Sequence, residues 1–383
     1  MKQIAAAFVY LSVLLLLPGC WNSKDIQSMA YVTALGLDYK DGKFHTYVQV
    51  LNFTNVAKTE TSQLGKNIPV WIGKGVGKTI TESFNDIYST SQIRLFWGHV
   101  KAIVCSENIL RDAEKIRESY DMLNRYREVR YNILLYGTKV PLQEIFTKKS
   151  LMNFSPLDTI MYTPAQMNSQ RTFILPVYGY RIISQFNEPS NSSLLPSLTV
   201  SKQGWQEDTK IKPMLKVDGA FLLENTQLTG WLSENDLIGY RWMQKKMQRS
   251  SINIFDNHEP AAALVLLNPR PKIRPVFEDG NVRFDLSIKL DAYLDELIVD
   301  LPKDKIESLA AKVIRDQIIY TYKKGIGLKS DVLKLDRSLY RDHPKEWKAL
   351  HEKRRFLLDE HSLSHVDVRI HLLHTGKYKG RTY

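Results

Sequence analysis

The sequence is poor in cysteine. Only Cys20 and Cys105 occur in 383 residues, so no disulfide framework is available and stability has to come from packed cores. After the first twenty residues it also lacks an apolar run approaching the roughly 20 residues that a membrane span needs. The longest such run is Ala261 to Leu267. There is no Gly-x-Ser-x-Gly elbow, no zinc-finger spacing of Cys and His, no internal repeat and no low-complexity tract. These gaps remove the common motif-bearing hydrolases, zinc modules and repeat arrays. Wholesale disorder is excluded too, because 43% of the residues are apolar, 10% aromatic and 25% charged.

What is present begins with a leader. Met1-Lys2-Gln3 is a short cationic start, and Ile4 to Leu17 is apolar except for Tyr10 and Ser12, the layout of a secretory signal. It ends Leu17-Pro18-Gly19-Cys20, similar to the bacterial lipoprotein cleavage box, with Pro18 an unusual occupant. On that reading residues 1–19 are removed and Cys20 carries a diacylglycerol on its thiol. An ordinary signal followed by a chance cysteine is the other reading. Two acyl chains hold a protein on a membrane where one binds only reversibly. No Gly/Ser spacer separates Cys20 from the apolar stretch Ala30 to Leu37, so the folded part is expected close to the bilayer. The formal charge of +12 then suits an anionic membrane surface. Export argues against nucleic acid, the other usual partner of a basic chain.

Patterning predicts a hairpin of two strands turning at Asp41-Gly42, a polar loop over Thr54 to Asn67 and a helix after Thr79. A strand over Val100 to Cys105 comes next. Ser106 then caps a helix whose apolar stripe is Ile109, Ala113, Ile116, Tyr120 and Leu123. Val129 to Gly137 reads as a strand and Pro141 to Phe146 as a short helix. From Asn153 to Asn191 the chain reads as irregular, with a strand or two around Phe173 to Phe186. A hairpin around Glu224-Asn225-Thr226 follows, then a capping box at Ser233 to Asp236 opening a helix through Leu237, Tyr240 and Trp242. The last third predicts strands at 261–267, 272–277 and 281–292, with a turn at Asp279-Gly280. A long helix then starts after Pro302, a helix covers Pro344 to Leu358, and a final strand runs from Val366 to Leu373.

Three groups invite chemistry. Gly73-Lys74-Gly75-Val76-Gly77-Lys78-Thr79 looks like a phosphate loop, but Ile72 stands where its first glycine belongs, so it is expected to be a glycine-rich turn before a helix. Six of the nine histidines lie between His343 and His374. His361/His365 and His371/His374 are close pairs, yet nothing nearby completes a ligand set. Cys105 sits in an apolar run and reads as a buried strand residue. Lys353-Arg354-Arg355 and the basic tail Lys377 to Arg381 read as solvated faces. No catalytic, metal or cofactor-binding residue is assigned.

Cys20-Trp21 followed by Gly36-Leu37-Asp38 resembles the start of the Ger(x)C family, the lipoprotein C subunits of nutrient germinant receptors in endospore-forming bacteria. Further segments agree in order: Gly77-Lys78-Thr79-Ile80, Gly98-His99-Val100-Lys101, Glu128-Val129-Arg130, Asp218-Gly219-Ala220-Phe221, Gly230-Trp231-Leu232-Ser233 and His343-Pro344-Lys345-Glu346-Trp347. Gly376 follows the last strand. Asn22 and Asp25 depart from the family's usual Asp and Glu. With the element count, the resemblance implies an α+β protein of three domains built from mixed sheets with packed helices: 20–195, 196–258 and 259–383. It further implies a non-enzymatic subunit without cofactor on the outer face of the spore inner membrane. Its partners would be membrane lipid through Cys20 and the integral-membrane A and B subunits of the receptor. A solute-binding lipoprotein of a transporter, or a cell-wall enzyme, is the alternative. Trp231 and Trp347 are expected to be architecture before binding surface.

Overall fold

A computed structural model describes residues 29–51, 69–278, 281–352 and 356–374, besides the isolated Gln3. The leader with Cys20, the 54–67 segment, the Asp279-Gly280 turn, Lys353 to Arg355 and the basic tail lie outside the described residues.

The chain opens with β1 (Met29–Lys40), β2 (Lys43–Leu51), β3 (Trp71–Gly77), α1 (Ile80–Tyr88), β4 (Arg94–Phe96) and β5 (Ala102–Ser106). Next come α2 (Glu107–Leu110), α3 (Ala113–Arg125), β6 (Leu134–Thr138), α4 (Leu142–Phe146), α5 (Pro164–Gln170) and α6 (Gly179–Phe186). β7 (Ser192–Ser201), β8 (Gln206–Glu207), β9 (Lys210–Ile211), β10 (Met214–Glu224) and β11 (Gln227–Ser233) follow. The last part holds β12 (Ser250–Asp256), β13 (Glu259–Glu278), β14 (Asn281–Leu297), α7 (Lys303–Gly327), α8 (Leu335–Asp342), α9 (Pro344–His351) and β15 (Leu363–His374).

Nine strands form one mixed sheet in the order β11-β10-β7-β6-β5-β1-β2-β3, with β4 beside β1. Helices cover both faces. On one, Phe84 and Ile87 of α1, Ile116 and Leu123 of α3 and Ile182 of α6 share a core with β1. On the other, Leu142, Ile145 and Phe146 of α4 pack with Ala34, Val104 and Tyr136. Within β1, Ala30 and Val32 face the first core and so do Leu35 and Leu37. The change of parity comes from a bulge between Val32 and Ala34, which shifts the alternation by one residue. A buried polar pin crosses the second core. Thr33 Oγ1 donates to Gln49 Oε1 at 2.8 Å, Gln49 Nε2 donates to the Phe146 carbonyl at 2.7 Å, and the Tyr162 hydroxyl also reaches Gln49.

A second sheet runs β12-β13-β14-β15, antiparallel except for the β14–β15 pair. Along β14, Phe284, Leu286, Ile288, Leu290 and Ala292 are buried on alternate positions, against Ile306, Ala310, Ile314 and Ile318 of α7. The chain therefore has an α+β fold of mixed sheets with packed helices.

Several elements differ from the sequence reading. Ser106 caps a helix as expected, but that helix is only α2; Asp112 then caps α3 by accepting from Glu114 N and Lys115 N, so one expected helix is two. The strand expected from Val129 begins at Leu134, and the stretch expected to be extended around Phe173 to Phe186 ends in helix α6, whose Ile182 and Phe186 turn four apart into the core. The Ser233 box forms its reciprocal bonds, Asp236 N to Ser233 Oγ at 3.1 Å and Ser233 N to the Asp236 carboxylate at 3.2 Å, yet opens only a 3-10 turn at Tyr240–Met243. The two strands expected at 261–277 are the single β13, and α9 ends at His351, short of Leu358. The boundary expected at 195/196 falls inside β7, which pairs along its length with β10; the one expected at 258/259 falls at the tight turn between β12 and β13.

Candidate functional site

The glycine run that resembled a phosphate loop lies on β3. Gly73, Gly75 and Gly77 alternate on the face that carries α1, and a Cβ on Gly75 would lie 1.9 Å from the Ser83 carbonyl oxygen. Glycine is required there so that a helix can rest directly on a strand, a different need from wrapping phosphates. Thr79 caps α1 by accepting from Glu82 N at 3.1 Å, and Glu82 reaches back to Lys78 N at 2.7 Å. Cys105 is buried in β5, and burial pushes its thiol up to about 12, far from the range of a nucleophile. Among the described residues no group of three or more His, Cys, Asp or Glu could hold a metal. His361, His365 and His371 are exposed, His343 packs edge-on against Phe277, and His351 meets the Asp336 carboxylate at 3.0 Å. The Trp231 ring lies 3.6 Å from the Lys139 ammonium, and Trp347 packs on Tyr340 and His351.

The polar groups converge where the two sheets meet. The turn between α7 and α8 docks on the β10–β11 hairpin, and Asp331 sits in it, fully buried. Its two carboxylate oxygens accept from Leu335 N at 2.9 Å and Asp336 N at 2.8 Å, which caps α8 from outside the helix. Its own N–H donates to Glu224 Oε2 at 3.3 Å, and its carbonyl accepts from Ser192 Oγ at 2.9 Å. Next to it, Asp336 accepts from Ser190 Oγ at 2.8 Å and from Trp347 Nε1 at 3.1 Å, besides meeting His351. A second set of bonds closes the joint: Thr321 Oγ1 accepts from Gly239 N at 2.8 Å and donates to the Asp236 carbonyl at 2.8 Å, and Trp242 Nε1 donates to Gln317 at 2.9 Å.

Electrostatics make this joint unusual. Burial, reinforced by the charge on Asp331, raises Glu224 to about 8. Burial, reinforced by Asp336, raises Asp331 to about 7. These carboxylates therefore hold protons near neutrality. The adjoining cavity, about 10 Å³, has room for no more than about one water. On the other side of α8 a cleft of about 710 Å³ opens between α6, the 243–246 segment, β13 and α8. That volume is within the range of small-molecule sites.

Sequence reasoning missed both features. Glu224, Asp331 and Asp336 come from β10, a turn and α8, and α8 itself was not expected. The one available signal was local: the helix-forming stretch Leu335 to Asp342 has its Asp four residues upstream, where a cap can reach.

Two family models match the chain in order. Residues 22–200 match the spore germination protein N-terminal domain, and residues 218–376 match the spore germination B3/GerAC-like C-terminal domain. Spore germination protein KC of Bacillus subtilis (strain 168) is 21% identical over 370 residues, covering 91% of this chain and 90% of that protein. Spore germination protein B3 of the same organism is 23% identical over 303 residues, covering 77% and 76%. The crystal structure of the GerBC protein shares the fold, with a TM-score of 0.56 at 18% identity over 88% of this chain and 96% of that one. With both domain families matched in order and the fold shared along nearly the whole length, the chain belongs to the Ger(x)C family of spore germination proteins.

Proposed function

We propose that this chain is a lipid-anchored, non-catalytic subunit of a spore nutrient germinant receptor. In this reading Cys20 carries the lipid, the protein sits on the outer face of the spore inner membrane, and it works beside the integral-membrane A and B subunits. The observation that carries the reading is the ordered pair of spore germination domains over 22–200 and 218–376. Among the described residues no helix is long and apolar enough to cross a membrane, so attachment would rest on the lipid. β1 begins at Met29, a short reach from Cys20. A tether of that length raises the effective concentration of the domains at the membrane subunits, so modest contacts suffice. A transporter's solute-binding lipoprotein would be built from two similar lobes, which a sheet covered on both faces and a smaller, four-stranded sheet do not resemble.

The test is nutrient-triggered dipicolinic acid release from spores carrying the wild type, a deletion or Cys20→Ala, with protein followed in the spore membrane fraction. Loss of release in the deletion, and weakened release with less membrane-bound protein in Cys20→Ala, is expected. Unchanged release in the deletion to every nutrient that the wild type answers would overturn the receptor assignment.

A further inference from the structure

The cleft beside α8 carries an inference that does not depend on the receptor reading. Its walls come from four separated segments, and each contributes cations: Arg181 from α6, Lys245 and Lys246 from the stretch before β12, Lys272 from β13, and Lys334 at the start of α8. Among the described residues none of these five forms a salt bridge, although the Asp331 and Glu188 carboxylates lie near enough to Lys334 to act on it; the Arg181 side chain donates to the Tyr180 hydroxyl at 3.2 Å. Arg337 and Arg341 also line the cleft, and they alone are paired, with Glu188 and Asp342. Among the described residues no Asp or Glu lines it. The whole chain sets 41 acids against 53 Lys and Arg, so a described lining with seven cations and no acid is a local departure from the whole. The partly exposed apolar side chains Val177, Met243 and Ile273 also line it.

Lys334 is held in this position at a cost. Its backbone is left-handed, φ 62°, a conformation that strains a side-chain-bearing residue by about 1–2 kcal/mol. The bonds that Asp331 makes to the two following N–H groups keep it there. Burial, and then the neighbouring charge of Arg337, lower the pKa of its ammonium, against the opposite pull of the Asp331 and Glu188 carboxylates. β12 stops alongside Leu266, and beyond it the edge of β13 is open; Pro271 and Pro275 sit on that stretch, where a missing N–H is harmless. The cleft occupies this opening.

We propose that the cleft is a binding site for a phosphate-bearing ligand with an apolar body, its phosphate held by Lys245, Lys246, Lys272 and Lys334 with Arg181, and its body against Val177, Met243 and Ile273. Convergent lysines and an arginine suit a group that carries between one and two negative charges on several oxygens. A soluble phosphate ester and a phospholipid headgroup share this chemistry, and the experiment separates them.

Full-length protein in a non-ionic detergent is treated with an amine-acetylating reagent, and the modification of each lysine is read by mass spectrometry with and without inorganic phosphate, hexyl phosphate, dihexanoyl phosphatidylglycerol or dihexanoyl phosphatidylcholine. Hexyl phosphate is expected to protect Lys245, Lys246, Lys272 and Lys334 while leaving Lys43 and Lys210 unchanged, and to do so at about tenfold lower concentration than inorganic phosphate. Stronger protection by the phosphatidylglycerol than by hexyl phosphate assigns a lipid source; weaker protection assigns a soluble ester. The Lys245→Gln/Lys272→Gln protein, both sites being exposed, is expected to fold normally and to need about tenfold more hexyl phosphate to protect Lys246 and Lys334. Equal acetylation of the cleft lysines with and without every probe at about 10 mM, or protection spread evenly over all lysines, overturns the proposal.

Discussion

Glu224→Gln tests the electrostatics of the joint between the sheets. In the unfolded chain Glu224 and Asp331 return to their ordinary values of 4.5 and 3.8, whereas burial in the folded protein holds them at about 8 and about 7. Above pH 5 the folded protein thus keeps protons that the unfolded chain has lost. The stability these groups contribute is complete below the ordinary carboxylate range and is lost as the pH rises through 7 and 8. Between pH 6 and pH 9 the loss is about 4 kcal/mol, roughly two thirds of it from Glu224, which moves the melting temperature by several degrees. Glutamine keeps the shape of Glu224 and can accept the Asp331 N–H, but it cannot ionise. It also spares Asp331 a neighbouring charge. Differential scanning calorimetry of both proteins at pH 6, 7, 8 and 9 should show the wild type losing stability with pH and the variant losing less than half as much. Lys334, shifted down in the same region, pulls the opposite way in both proteins and cancels in the comparison. Equal losses in the two proteins, or a wild type that gains stability above pH 7, would refute the assigned burial of charge.

Three further outcomes follow from packing. Gly75→Ala places a methyl 1.9 Å from the Ser83 carbonyl and should cost several kcal/mol, whereas Gly327→Ala, with nothing within 4 Å, should be neutral or gain up to about 1 kcal/mol; thermal denaturation of the pair checks both. Phe284→Ala, at a wholly buried position facing α7, should lose about 3–5 kcal/mol by urea denaturation, and a loss below about 1 kcal/mol would mean that the second core is not packed as described. In a Cys20→Ser protein, Cys105 should resist iodoacetamide at pH 8 until guanidinium is added, because its thiol is buried and raised to about 12; prompt labelling of the folded protein, followed by mass spectrometry, would contradict that.

Much of the fold was legible where one physical rule acts alone. The Asp279-Gly280 signal marked the start of β14, the Asp41-Gly42 turn marked the first hairpin, and Pro302 marked the start of α7. Capping residues were read correctly at Thr79 and Ser106, though the break at Arg111-Asp112 was hidden because the apolar stripe continues across it. α6 was lost among prolines and small polar residues, since two turns offer too few apolar positions to fix a period. β13 was cut in two by its prolines, which only the open edge beyond β12 makes harmless. The cleft and the buried acids are assembled from segments far apart in sequence, and no spacing rule reports such convergence. Cys20 is legible only as a motif and lies outside the described residues.

The large sheet has a waist. β6 and β7 share only two register pairs, Gly137 with Ser197 and Thr138 with Leu198, while β7 and β10 share ten. Across that line the strands are held by side chains as much as by backbone: the Phe221 ring fills the space over Gly137, and Thr138 Oγ1 donates to the Leu198 carbonyl at 2.8 Å. On the far side, β10 and β11 are fastened to the C-terminal part by the Asp331 turn and by Leu328 lying against Gly230. When local opening begins, the least backbone bonding is broken by parting β6 from β7. The β7–β10–β11 ribbon then leaves with α7, α8 and the second sheet, and the amide proton of Leu198 exchanges with solvent before those at the centre of β1.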